Sequence, residues 1–198
     1  MNKRQYFDVE YNPGGEKTLL TKYLPTFVTH YFFKEKVFLV LDGDMQTDYV
    51  FNMDELTVKQ EKNVSYMKEC VNKAYGVDIQ AYIDGGQGGK REDQEIKIYK
   101  EYLKYHNNSV FYLPNKSIPE KILLESKYVA EEYGDIVNEN MEITNANAKG
   151  ILLAISKSDY GNEGHVKDLT EKLAYKWSME ESANKTKVEE ILNDIYKK

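Results

Sequence analysis

Cysteine and arginine are almost missing from this 198-residue chain: Cys70 stands alone, and only Arg4 and Arg91 interrupt the lysines among its 27 basic residues. A single cysteine excludes a disulfide scaffold and a cysteine-rich zinc site, and reads as a half-buried helix residue. The arginine shortage, set beside 17 tyrosines, reads as the coding bias of an AT-rich bacterial or phage genome and not as function. Positive charge is not in excess either. With 33 acidic residues the formal charge is -6, which argues against a histone-like protein that holds nucleic acid by bulk charge. A nuclease stays open, because bound metal ions can offset a negative surface. No apolar run approaches the about 20 residues that span a bilayer. The opening MNKRQYFDVE has no apolar stretch of a secretory signal or membrane anchor, so a soluble cytoplasmic protein with no membrane partner is expected. His30, His106 and His165 lack metal-ligand partners at helical spacing. Neither a G-x-S-x-G elbow nor a cysteine–histidine arrangement favours covalent catalysis.

What the chain does contain is enough length for one domain with an extension, at about 150 residues per domain. Four apolar or alternating runs predict strands: Tyr6 to Tyr11, Val37 to Leu41, Val77 to Ile83 and Ser109 to Leu113. Helix-compatible stretches lie between them, at Lys17 to Phe33 (with a kink expected at Pro25), Val58 to Ala74 and Glu92 to Tyr105. Alternation of this kind predicts an α/β fold with a mostly parallel four-stranded sheet flanked by helices. Val37 to Leu41 has five apolar residues without alternation, the pattern of a strand covered on both faces. After Pro119 the strand pattern stops, and four helical stretches follow. The expected organisation is an α/β domain over 1–118 and a helical extension over 119–198, with Tyr133 to Asn147 as the linker-like stretch.

In open parallel sheets chemistry collects at the carboxyl ends of the strands. Asp42-Gly43-Asp44 directly follows the most apolar strand, and from Asp42 to Glu55 there are five acids and no bases. Two carboxylates separated by glycine can turn toward one hard divalent cation such as Mg²⁺ or Mn²⁺; the bland alternative is a solvated turn in which Asp44 caps a helix. Gly14 and Gly15, in NPGG, permit a tight turn or a close backbone approach. The loop Asp84 to Gly89 carries four of the 12 glycines, with Lys90 and Arg91 just beyond it as candidate phosphate contacts. Its spacing fits neither GxGxxG nor GxxxxGK[ST]. Glu120, in Ser117-Ile118-Pro119-Glu120, suits the first turn of a helix and equally could supply another metal oxygen.

Taken together, a strand ending in PGG, then VFLVLDGD, then a strand ending in LPNKSIPEKILLE resemble the Toprim domain, in the version joined to bacterial AAA/ABC-type ATPases of the overcoming-lysogenisation-defect (OLD) nuclease kind. The resemblance covers roughly residues 6 to 125. It implies a Mg²⁺-dependent nuclease acting on phosphodiesters, DNA in the first place, with Asp42 and Asp44 as metal ligands, Glu120 as the acidic position after the last strand, and Lys167 as the lysine that stabilises charge on the phosphorane; Lys149 and Lys157 sit in comparable surroundings. Toprim domains also open with an E-G-x-x-D unit before the PGG strand, and only Met1 to Gln5 precede that strand here. The resemblance therefore implies a module without its first glutamate, completed by an ATPase chain or by self-association, or else inactive alone.

Two other enzyme classes place DxD after an apolar strand. In nucleotide-sugar glycosyltransferases the pair holds a metal-bound diphosphate, but too little chain precedes Asp42 to build their nucleotide-binding half. Haloacid-dehalogenase phosphatases want threonine or valine where this chain has Gln46. A non-catalytic Toprim-derived binding module is the remaining alternative.

Overall fold

The computed structural model describes residues 10, 15–30, 36–83, 91–137 and 142–198. The chain divides into two compact units. One comprises residues 1–41 and 45–112; the other comprises 42–44 with 113–198. In this division the DGD tripeptide goes with the C-terminal unit.

The first unit begins with α1 (Gly15–Thr18), a π-helical turn at Leu19–Tyr23 and α2 (Leu24–Thr29). Pro25 has no N–H to give the preceding turn, and the wide turn before it absorbs the mismatch. Strand β1 (Leu39–Leu41) pairs in parallel with β2 (Val110–Tyr112), Leu39 facing Val110 and Leu41 facing Tyr112. A short α3 (Val58–Glu61), closed by a Thr57/Gln60 capping box, leads to α4 (Val64–Tyr75). Helix α4 starts where the Asn63 side chain accepts from Tyr66 N, and stops at Gly76 in the left-handed region. Its buried Met67, Cys70, Val71, Ala74 and Tyr75 follow the helical period and pack with α5 (Arg91–Ser109).

The expected four-stranded sheet, and with it the Toprim-like α/β fold, is corrected here. Among the described residues the chain is predominantly helical and has two strands in one sheet. The run Val77 to Ile83 joins no ladder, and side chains take several of its backbone groups. Asn72 Oδ1 accepts from Ile79 N at 3.0 Å, the Tyr99 hydroxyl accepts from Ala81 N at 3.4 Å, and the Tyr102 hydroxyl donates to Gln80 O at 3.3 Å. Each backbone group satisfied in this way is one fewer for a neighbouring strand. The predicted first strand, Tyr6 to Tyr11, lies outside the described residues except Glu10, which is in no regular element.

His106, on α5, is half-buried in this unit. Its Nε2 lies 3.1 Å from the Tyr112 hydroxyl, and its ring stands edge-on to Tyr75. Burial lowers its pKa below the usual value of 6.5, outweighing hydrogen bonds from its surroundings that favour the charged form. Below pH 6.5 the unfolded chain therefore takes up a proton that the folded chain resists, so stability falls as the pH drops through this range. The slope stays below the one-proton limit of about 1.4 kcal/mol per pH unit. Urea unfolding at pH 7 and pH 5.5 should show this loss in the wild type and a shallower one in His106→Gln. Parallel losses in the two would rule out His106 as the source.

The second unit is helical: α6 (Pro119–Leu124), α7 (Lys127–Tyr133), α8 (Asn145–Tyr160), α9 (Val166–Ser178) and α10 (Ala183–Lys197). Its core joins Leu123, Leu124, Val129, Leu152, Ile155, Leu169 and Leu173. Two polar clasps supplement it. The Glu180 carboxylate accepts from Lys127 N and Tyr128 N at 2.9 and 2.7 Å. Tyr133 donates to Asp159, and Lys172 donates to both at 2.8 and 3.1 Å. Burial, with the Asp159 bond, pushes the Tyr133 phenol up to about 12, so it stays a donor at neutral pH. Among the described residues no helix is long and apolar enough to cross a membrane.

Candidate functional site

Strand β1 ends at Leu41, and the chain turns at once through a 3-10 segment, Gly43–Met45. Asp42 is half-buried, Gly43 buried and Asp44 exposed. Gly43 lies directly against the segment that follows β2. Its N–H donates to Ser117 O at 2.9 Å. A Cβ at this position would stand 2.6 Å from Ser117 N and 2.9 Å from Lys116 C, and closer still to Leu113 O. Only glycine allows backbone to meet backbone in this way. Thus the DGD turn and the LPNKSIPE segment, 70 residues apart in the chain, share one seam within the second unit.

The 113–118 segment is shaped by its own strain and by three asparagines. Asn115 and Lys116 adopt φ of 59° and 51° in succession, a left-handed pair that asparagine tolerates and lysine resists. Asn145, at the first position of α8, clips the segment: its Oδ1 accepts from Ile118 N at 3.3 Å and its Nδ2 donates to Lys116 O at 2.8 Å. From α10, Lys187 donates to Asn115 Oδ1, and Asn115 donates to Asn184 Oδ1, both at 2.7 Å. Ser117 is fully buried, with its hydroxyl donating to Asn115 O at 3.4 Å.

Glu120 follows in the first turn of α6, its side chain 26% exposed, with Lys149 Nζ of α8 at 3.8 Å. Lys149 itself is 72% exposed. The other candidates are placed differently. Lys167 lies in the first turn of α9, 87% exposed, in a loose i,i+4 pair with Glu171 at 3.9 Å. Arg91 opens α5 in the first unit and pairs with Glu95 at 3.1 Å. Gly15 starts α1 with φ +71° and has nothing within 4 Å of where a Cβ would be, so a turn and not a close approach explains it. Gly14 and Lys90 lie outside the described residues.

Asp42 and Asp44 flank Gly43, and Glu120 lies three residues beyond the Ser117 that Gly43 meets. Among the described residues, however, no group of three or more histidine, cysteine, aspartate or glutamate side chains is assembled that could hold a metal ion. Mg²⁺ needs no group of three, since it is commonly held through one or two carboxylates while keeping several waters. Sequence reasoning pointed to the carboxylates but missed the asparagine clips. Asn145 was detectable only as part of T-N-A-N, whose Thr144 and Asn147 form the capping box of α8.

Comparison with protein-family models, with curated proteins and with solved structures returned no match.

Proposed function

We propose that this chain is a metal-dependent phosphodiesterase module acting on nucleic acid, DNA in the first place, with Mg²⁺ or Mn²⁺ held by Asp42 and Asp44 and with Glu120 as the acidic catalytic position. The observation that carries the reading is the Gly43–Ser117 seam, which holds the DGD turn against the segment that bears Glu120. The likeness of both segments to OLD-type Toprim loops supports the chemistry; the sheet does not enter the argument. When bound, the ion supplies a Lewis acid for the phosphoryl oxygens and lowers the pKa of a coordinated water. The chain's own part is electrostatic. The carboxylates fix the cation's position, and Lys149 adds a positive group on the same side as Glu120, where a phosphate would approach. The reading carries a cytoplasmic location, where the buried Cys70 stays reduced, and an ATPase chain or a second copy as the assembly partner.

The test is metal-dependent nicking of supercoiled plasmid by the wild type and by the Asp42→Ala/Asp44→Ala variant, with Mn²⁺ affinity measured calorimetrically on both. The expected result is cleavage and binding by the wild type, both reduced to the metal-free background in the variant. Equal behaviour of the two proteins would overturn the reading. The lack of a third assembled acid among the described residues favours one alternative, a module that binds the ion and nucleic acid without cutting; retained Mn²⁺ binding without nicking would identify it.

A further inference from the structure

Three tyrosines of α5 hold neighbouring segments through neutral hydroxyls: Tyr99 accepts from Ala81 N, Tyr102 donates to Gln80 O, and Tyr105 donates to Val37 O at 2.7 Å. The corresponding contact to β2 runs through His106, and of these groups an imidazole is the one that changes charge near neutral pH. The direction of its bond to Tyr112 follows from the next residue. Asn107 donates from Nδ2 to Phe51 O at 3.2 Å, which leaves Oδ1 facing His106 Nδ1 at 3.4 Å. An acceptor there places the ring hydrogen on Nδ1, so Nε2 is the bare nitrogen and accepts from the Tyr112 hydroxyl. The other groups facing the ring are Tyr75 and the Ala74 carbonyl, both of α4. Burial keeps the Tyr75 phenol well above the normal range and pushes that of Tyr112 up to about 12. Neither therefore offers the ring a negative charge, and Asn107 and Ala74 offer carbonyl dipoles.

We infer that His106 is a proton-operated latch on β2, holding Tyr112 while the ring is neutral and releasing the strand when the ring is charged. Protonation puts a hydrogen on Nε2, where the phenol hydrogen already points. Tyr112 must turn its hydroxyl away, and a charged ring is left half-buried beside uncharged groups. Opening of β2 brings the ring into water, where it holds the proton more readily, so acid favours the open strand. The strand suits this role. Its three residues are half-buried and pair in parallel with β1, whereas α4 and α5 contribute the fully buried Met67, Val71, Tyr102 and Leu103. Local opening draws on the least buried element first. Tyr112 is also the last residue of the first unit before the chain enters the second, so the latch frees the final element of its unit.

Hydrogen exchange on the full chain tests this, read by mass spectrometry on peptides covering 36–42, 67–75 and 109–113 at pH 7.5 and 5.5, with and without about 1 M urea, and corrected for intrinsic rates. One proton can speed opening by at most about ten-fold per pH unit below 6.5. Exchange of the two strand peptides is expected to rise about three- to ten-fold at pH 5.5 and to respond little to urea, while exchange of the α4 peptide follows urea, as whole-unit unfolding does. His106→Gln should lose the acid response of the strands. Strand exchange that ignores pH, that tracks α4 at both urea concentrations, or that keeps its acid response in His106→Gln would overturn the latch. Tyr112→Phe gives a second measurement, which does not need His106→Gln to fold. It removes the hydrogen donated to Nε2, so the imidazole titration seen by nuclear magnetic resonance, assigned by comparison with His30→Gln and His165→Gln, should move up toward 6.5. A midpoint unchanged from the wild type would show that the Tyr112 bond does not hold the ring neutral, and the latch fails.

Discussion

Replacing Gly43 with alanine is expected to lower the stability of the second unit by about 2–4 kcal/mol, combining overpacking against rigid atoms with one lost backbone hydrogen bond. The atoms that a Cβ would meet are Leu113 O, Ser117 N and Lys116 C. They are backbone, so no side chain can swing away to make room. The 113–117 segment would have to move as a whole, against its bonds to Asn145, Asn184 and Lys187. Separation of the seam would also break the Gly43 N–H bond to Ser117 O, and Mn²⁺ binding should fall with it. The control is Gly150→Ala. Gly150 lies inside α8 with nothing within 4 Å of its would-be Cβ, and alanine there should stabilise by about 0.5–1 kcal/mol. Trp177, the sole tryptophan, is packed against the second core, so its fluorescence follows this unit in a urea titration. A Gly43→Ala midpoint at or above that of the wild type would show that the seam is not close-packed.

Tyr102→Ala is expected to cost about 3–5 kcal/mol, the largest effect in the first unit. Tyr102 is fully buried on α5, edge-on to Tyr99, and its backbone carbonyl accepts the Tyr75 hydroxyl at 2.9 Å. Truncation leaves a ring-sized void at the point where α4, α5 and the 77–83 segment meet, and deprives Gln80 O of its donor. Tyr102→Phe separates the two contributions. It keeps the ring and loses only the hydroxyl bond, for a cost of about 0.5–1.5 kcal/mol. Burial holds the Tyr102 phenol well above the normal tyrosine range, so this hydroxyl remains a donor throughout the accessible pH range. Far-UV circular dichroism in urea measures both variants. Equal midpoints for Ala and Phe would place the hydroxyl, and not the ring, at the centre of this core.

Helices were legible because their signals are local. Asn63 before α4, Thr144 before α8, Ser182 before α10, and Gly76 and Gly161 after their helices act within a few residues. The apolar spacing of α4 agrees with the face that is buried. Predicted stretches split where a polar cap intervened: Val58 to Ala74 broke at Asn63, and Glu120 to Glu132 broke at Ser126, whose side chain accepts from Val129 N. Strands failed for the complementary reason, that a strand is defined by a neighbour. Val77 to Ile83 has the composition of a strand, yet its partners are tyrosine hydroxyls of α5 and Asn72, contacts between residues seven to 22 positions apart.

The site divides in the same way. By itself the sequence determined which groups carry charge: the acids of DGD, Glu120 after the last predicted strand, and no cysteine or histidine cluster to compete with them. It also determined that most of these stretches are helical, because apolar periodicity acts within one or two turns. Only the tertiary structure decided that the sheet has two strands among the described residues, that Gly43 is the residue where two distant backbones meet, and that Lys149 rather than Lys167 stands beside Glu120. The physical reason is range. Propensity and charge are properties of a residue and its near neighbours, whereas pairing, close approach and ion contacts depend on which distant segments the folded core brings together.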